Sequence, residues 1–297
     1  MHVLVTGASG FVGQVLVDKL LGQGHHVTVL VRPGTALPAA HHGRVQTLAH
    51  GLGSGAPLTL AHDIDAVAHL AQSRAYRAFP GDADEMFRVN VCGAHELLLA
   101  AAEAKVSRFC LVSTGTVYEP FLAPMTEEMA LAPTSNLGTT KLAAELLAKP
   151  YGGLFPVSTL RLFMPYGPGQ TARLMPDLIR RVRDAEAVTL PAEGGGMRFT
   201  PTYVDDVANV LLAAMSESWS GVFNVASREA LTIEEAVRII GNVIGKVPVI
   251  ARSAPLPGGA RAPSVVPDLT KLDARFPLSR FRSFADGIAA TIAGHRA

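Results

Sequence analysis

The chain opens on "HVLVTGASGFVG" (residues 2–13), a short β-branched run followed by three glycines in the spacing GxxGxxG: Gly7, Gly10 and Gly13. Beyond them Val12, Val15, Leu16, Leu20 and Leu21 recur at helical spacing. A strand that passes through glycines directly into a helix is a narrow constraint on folding. The turn needs residues without a Cβ, and the helix it starts presents unbonded amide groups at a positive end, where phosphate binds. The spacing differs from the GxGxxG of the common dinucleotide fingerprint, so the position between strand and helix carries the argument.

The same alternation continues. Strands are expected at 3–6, 27–31, 66–70, 109–113 and 157–162, and again at 221–225. Helices are expected at 90–105, 139–149, 175–183, 203–215 and 233–244, the last with Thr232 as N-cap and Glu235 completing a capping box. Strands that are apolar on both faces and alternate with helices predict an α/β fold: a Rossmann-type doubly wound parallel sheet, with ligands at the carboxyl ends of its strands. After Tyr166 the texture changes to turn clusters, "YGPGQ" and "PAEGGG", and "SAPLPGGARAP" is expected to be a surface loop. The expected division is a dinucleotide-binding domain of residues 1–165 plus about 202–226, and a smaller, discontinuous C-terminal substrate-binding domain of about 166–201 and 227–297.

Bulk properties narrow the partners. With 297 residues, 48% hydrophobic and 17% charged, the chain is long enough for a sizeable core, and a net charge of +1 without charged runs argues against nucleic acid or a membrane surface as partner. A small molecule is the expected partner. Cys92 and Cys110 each lie in an apolar segment, as buried thiols of a reducing compartment do. The chain begins without a secretory leader pattern and has no apolar run near 18 residues, so the cytoplasm is the expected location. The paired histidines at 25–26 and 41–42 are neighbours that point in different directions, and no HExxH or paired CxxC accompanies them; no metal is expected.

Several ordered segments resemble one family. The GxxGxxG loop is similar to that of the short-chain dehydrogenase/reductase superfamily. "DIDAVAHLAQ", "RVNVCGAHELLLAAAEAKVSRFCLVST", "STGTVYE", "TTKLAAE", "LRLFMPYGPGQ", "TYVDDVANVLLAAM" and "GVFNVAS" resemble, in order, segments of its extended branch, the NAD-dependent epimerase/dehydratase family. The resemblance covers nearly the whole chain. It implies that Gly7, Ser9, Gly10, Phe11, Val12 and Gly13, together with Leu70 and Ala71, bind a nicotinamide dinucleotide. At the end of the second strand an acid would accept the ribose hydroxyls of NAD and an arginine would pair with the 2′-phosphate of NADP. The residue there is Arg32, so NADP is favoured over NAD, with a solvated strand-end charge as the alternative.

The family's catalytic pattern is altered. Matched position by position, its lysine, which holds the nicotinamide ribose, is Lys141, and its substrate-positioning hydroxyl is Thr114; its proton-transferring tyrosine is replaced by Leu137. Tyr118 is the first candidate for a substitute proton carrier, ahead of Tyr166, a water or the substrate's own group, and packing is its other reading. Where nucleotide-sugar enzymes of the family carry asparagine in NxYGP, this chain has Met164. Arg198 and Arg261 match phosphate-binding arginines, which keeps an anionic substrate in view. Asp205 and Asp206 read as capping residues. Two functions stay open: an epimerase-, dehydratase- or reductase-type oxidoreductase on a nucleotide-activated sugar or related metabolite with rearranged proton transfer, or a cofactor-binding sensor or scaffold that has lost the chemistry. Alanine and leucine over the helices at 90–105 and 139–149 lead to the expectation of a homodimer, with burial inside the monomer as the alternative.

Overall fold

The computed structural model describes residues 1–121, 125–171, 173–254 and 262–294. Met1–Pro120, Glu127–Leu162 and Val207–Val225 form one compact unit, and Phe121–Thr126, Phe163–Asp206 and Ala226–Ala297 form another.

The first unit is built on seven strands: β1 (His2–Thr6), β2 (His26–Val31), β3 (Gln46–Ala49), β4 (Ala66–His69), β5 (Arg108–Thr114), β6 (Val157–Leu162) and β7 (Gly221–Val225). Their order across the sheet is β7-β6-β5-β4-β1-β2-β3, and every neighbouring pair is parallel. Strands in such a sheet are covered on both faces, and all six residues of β6 are buried. Helices α1 (Phe11–Gly22), α2 (Gly93–Ala104) and α3 (Asn136–Ala148) supply the cover. The chain leaves β1 toward β2 on one side, and β4 lies on the other, so strand order reverses between β1 and β4. In open sheets of this kind, ligands bind where the order reverses, at the strands' carboxyl ends.

Two elements depart from expectation. Strand β3 is a polar, mostly exposed edge strand, which gives no apolar run to read. The helix expected from residue 90 is α-helical only from Gly93: Phe87–Cys92 is wound as a π-helical segment, and the Asn90 side chain is buried inside it.

The second unit holds α4 (Leu174–Arg183), the start of α5 (Val204–Ser216), α6 (Ile233–Ile244) and α7 (Phe284–Gly294). Its core gathers Leu178, Ile179 and Val182 with Val237, Ile240 and Ile288. Thr232 caps α6 and Glu235 closes the capping box, as expected from the sequence. Among the described residues, no helix is long and apolar enough to cross a membrane.

Candidate active site

The glycine loop joins β1 to α1. Gly7 sits at φ +70°, in the left-handed region, and a Cβ there would lie 2.8 Å from the Ala71 backbone nitrogen. A Cβ on Gly13 would lie 2.2 Å from the Gly7 carbonyl oxygen. Two of the three glycines are therefore required by close backbone packing of the loop on itself and on the chain leaving β4. Gly10 caps α1 without any side-chain bond, and the first turn, Phe11, Val12 and Gly13, carries no acid. The amides of that turn face no competing carboxylate of their own helix, which suits an anion. Ser9 contributes its carbonyl, accepting from the Gln14 side chain at 3.0 Å. Leu70 and Ala71 follow β4 beneath the loop. The Ala71 amide donates to Thr6 Oγ1 at 3.1 Å, and Thr6 Oγ1 also pairs with His69 Nδ1 at 2.7 Å. Burial pushes His69 down to about 3, with the Lys141 charge acting in the same direction, so the imidazole is neutral. Arg32 is exposed immediately after β2.

Thr114 ends β5 half-buried. Its hydroxyl accepts from the Thr116 amide at 3.2 Å and pairs with the Thr116 hydroxyl at 3.0 Å, which caps the following turn. Lys141 comes from α3, and its Nζ donates to the carbonyl of Val112, two residues before Thr114. The structure thus brings Thr114 and Lys141 to the same end of β5. Lys141 is 4% exposed, in contrast to the solvent-facing helix lysine that also fits its spacing from Glu145. Desolvation lowers it to about 8, against the opposing charge of Glu145. Leu137, half-buried, lies one turn earlier on the same face of α3 and offers no group that can exchange a proton. Ser135 caps this helix, accepting from the Gly138 amide at 3.1 Å, and its own amide donates to Glu119 at 2.9 Å.

Tyr118 is held by a network that sequence reading missed. Its hydroxyl donates to Asn224 Oδ1 at 2.8 Å and accepts from Arg161 at 2.7 Å, and the ring stacks under the same guanidinium. Arg161 in turn forks onto Glu145, at 3.1 Å to Oε1 and 2.7 Å to Oε2, and Ser113 donates to Glu145 as well. Burial raises the Tyr118 phenol above its ordinary value. The side chain is 2% exposed and its hydroxyl is bonded on two sides, which supports the packing reading. The signal was present as an arginine inside "VSTLRL", because a charge in a strand buried on both faces requires a carboxylate nearby. Asn90 was missed too. It accepts from the Ser73 amide at 2.9 Å and donates to Thr140 at 3.1 Å, joining the segment after β4 to α3.

In the second unit Met164 has φ +41° and its carbonyl accepts from the Thr202 amide at 3.1 Å. Arg198 is exposed on a two-residue strand, Arg198–Phe199. Arg261 lies outside the described residues. Tyr166 is buried in a cluster with Tyr203 and Phe284, its hydroxyl donating to the Phe284 carbonyl at 3.4 Å. Asp206, in the first turn of α5, accepts from the Arg282 amide at 2.8 Å, a fold contact.

Known proteins share the sequence pattern and the fold. The family model described as NAD dependent epimerase/dehydratase family matches residues 3–226. The dTDP-glucose 4,6-dehydratase of Streptomyces griseus is 31% identical over 315 residues, covering 98% of this chain and 93% of that protein. UDP-glucuronic acid decarboxylase 1 of Arabidopsis thaliana is 28% identical over 263 residues, 82% of this chain; the chain spans 58% of that relative's length. Among solved structures, MoeE5 in complex with UDP-glucose and NAD matches with a TM-score of 0.82 at 28% identity, over 100% of this chain and 99% of that one. The family match runs to the end of β7 and takes in the whole parallel sheet and the glycine loop; the chain belongs to the NAD dependent epimerase/dehydratase family.

Proposed function

We propose that the protein is an enzyme that uses a nicotinamide dinucleotide, NADP in preference to NAD, to act on a nucleotide-activated sugar, with proton transfer rearranged around the missing tyrosine. One observation carries the reading: a buried lysine and a half-buried threonine are held at the end of β5, in the same sheet as an uncapped glycine loop. The loop fits a pyrophosphate, since its backbone fills the space that side chains would take and its helix end is free of acids. Amides of residues 7 to 13 would hold the phosphates, Lys141 the nicotinamide ribose and Arg32 the 2′-phosphate. The bound ring supplies reversible oxidation and reduction of a sugar carbon. Thr114 positions the reacting oxygen, and the family match of Arg198 and Arg261 to phosphate-binding arginines supports an anionic substrate. The relatives named above act on uridine- and thymidine-diphosphate sugars by their own descriptions, which supports this substrate class.

Calorimetry with NADP⁺ and NAD⁺, followed by nicotinamide absorbance on adding UDP- and dTDP-sugars, tests the reading. Binding of NADP⁺ about tenfold tighter than NAD⁺, reversed by Arg32→Asp, is expected, together with an absorbance change. No heat with either cofactor overturns it. Leu137 favours a second reading, a sensor or scaffold that binds the cofactor and turns nothing over; it predicts tight binding, no absorbance change, and partner affinity that follows the redox ratio. The first reading predicts that Leu137→Tyr raises turnover. We also infer a homodimer, supported by Leu99 on α2 and Leu146 on α3, 44% and 60% exposed.

A further inference from the structure

Lys141 is a buried ammonium with an incomplete set of partners. The group has three donor hydrogens, and among the described residues its one hydrogen-bond acceptor is the Val112 carbonyl. Glu145, the nearest carboxylate along α3, is committed to Arg161 and Ser113. Buried polar groups are ordinarily satisfied, so two free donors on a 4% exposed lysine point to a ligand. One turn away, the position from which a tyrosine would exchange the substrate's proton holds Leu137. We propose that Lys141 is itself the general base and acid of this site, exchanging the proton of the substrate hydroxyl that Thr114 orients. This rests on the enzymatic reading above.

In the oxidising direction the substrate O–H bond breaks and an N–H bond forms on neutral Nζ, giving an ammonium. A bound oxidised nicotinamide would supply the acceptor for the carbon-bound hydrogen with its electron pair, so that the balance closes on a carbonyl. In the reverse direction the ammonium returns the proton. The surroundings suit both forms. Glu145 on α3 favours the charged one and burial the neutral one, leaving Lys141 near 8. His69 on β4 is neutral above about 3. Arg161 on β6 is taken up by Glu145 and Tyr118, whose phenol is held neutral.

Two measurements test this. In protein carrying isotope-labelled lysine, the Lys141 resonance, assigned by its loss in Lys141→Arg, is expected to titrate near pH 8 in the absence of substrate; a lysine that stays charged to pH 10 overturns the inference. In single turnovers, the rate of nicotinamide reduction is expected to rise about tenfold per pH unit below that midpoint. Lys141→Arg keeps a cation but cannot release a proton in this range. It is expected to lose roughly 10²-fold or more in rate at saturating cofactor, and to lose the pH dependence. If Lys141→Arg fails to fold, the wild type decides: the pH midpoint of the rate should coincide with that of a lysine resonance, and a rate midpoint that matches no lysine overturns the inference. Reduction with a flat profile between pH 6 and 10 sinks this inference alone, whereas cofactor binding without reduction by any nucleotide sugar sinks the functional reading with it.

Discussion

Met164 has φ +41°, a region that costs a side-chain-bearing residue about 1 kcal/mol and that asparagine or glycine enters more easily. The family's asparagine and this methionine therefore share a backbone position that favours the former. Met164→Gly is expected to keep the Thr202 bond and, once the added freedom of the unfolded chain is set against the relieved strain, to change stability by less than about 1 kcal/mol. At Val112, where nothing requires a left-handed backbone, the same kind of change should cost several times more; thermal unfolding of the two variants makes the comparison. His69 sets a different prediction. Its folded value is near 3 and its unfolded value near 6.5, so between these limits the unfolded chain binds more protons and stability falls as pH falls. Its share approaches about 1.4 kcal/mol per pH unit in that window. Denaturant titrations from pH 7 to 3.5 should show a slope shallower by that order in His69→Gln.

At the scale of elements, α3 and β6 are fastened by one buried ion pair, Glu145 with Arg161, extended to Ser113 on β5 and Tyr118 beyond it. Removing one partner strands a buried charge, which typically costs about 3–5 kcal/mol. Arg161→Met should show that loss in denaturant melts, and Arg161→Met combined with Glu145→Leu should recover much of it. A double variant as unstable as the sum of the singles would mean that the two charges do not depend on each other. The sequence showed these elements but not their coupling. The strand at 157–162 and the cap at Thr232 were legible because apolar runs and capping boxes are local patterns. Depth is not local: the same TTKLAAE spacing fits a helix lysine in solvent or, as here, a buried one bonded to β5. The π-helical turns before α2 were hidden for a related reason, since Asn90 bonds to Ser73 and Thr140, residues far from it in the chain.

For the whole molecule, the exposed leucines on α2 and α3 predict association. Light scattering should give twice the monomer mass for the wild type and the monomer mass for a variant carrying Leu99→Glu and Leu146→Glu; a monomeric wild type removes the dimer from the account. The alternation of strands and helices made the parallel sheet readable in advance, and the glycine spacing located the loop end of it. The burial of Lys141 and the commitments of Tyr118 were not readable, because they depend on contacts between residues far apart in the chain. Strand β6 is completed on its outer side by β7, which is synthesised some 60 residues later. While the ribosome is still adding the intervening segment, β6 has a bare row of amides and carbonyls along one side, open to pairing with another nascent chain. The order in which this protein emerges thus makes the last strand to join the seven-stranded sheet a safeguard against clumping as well as a wall of the sheet.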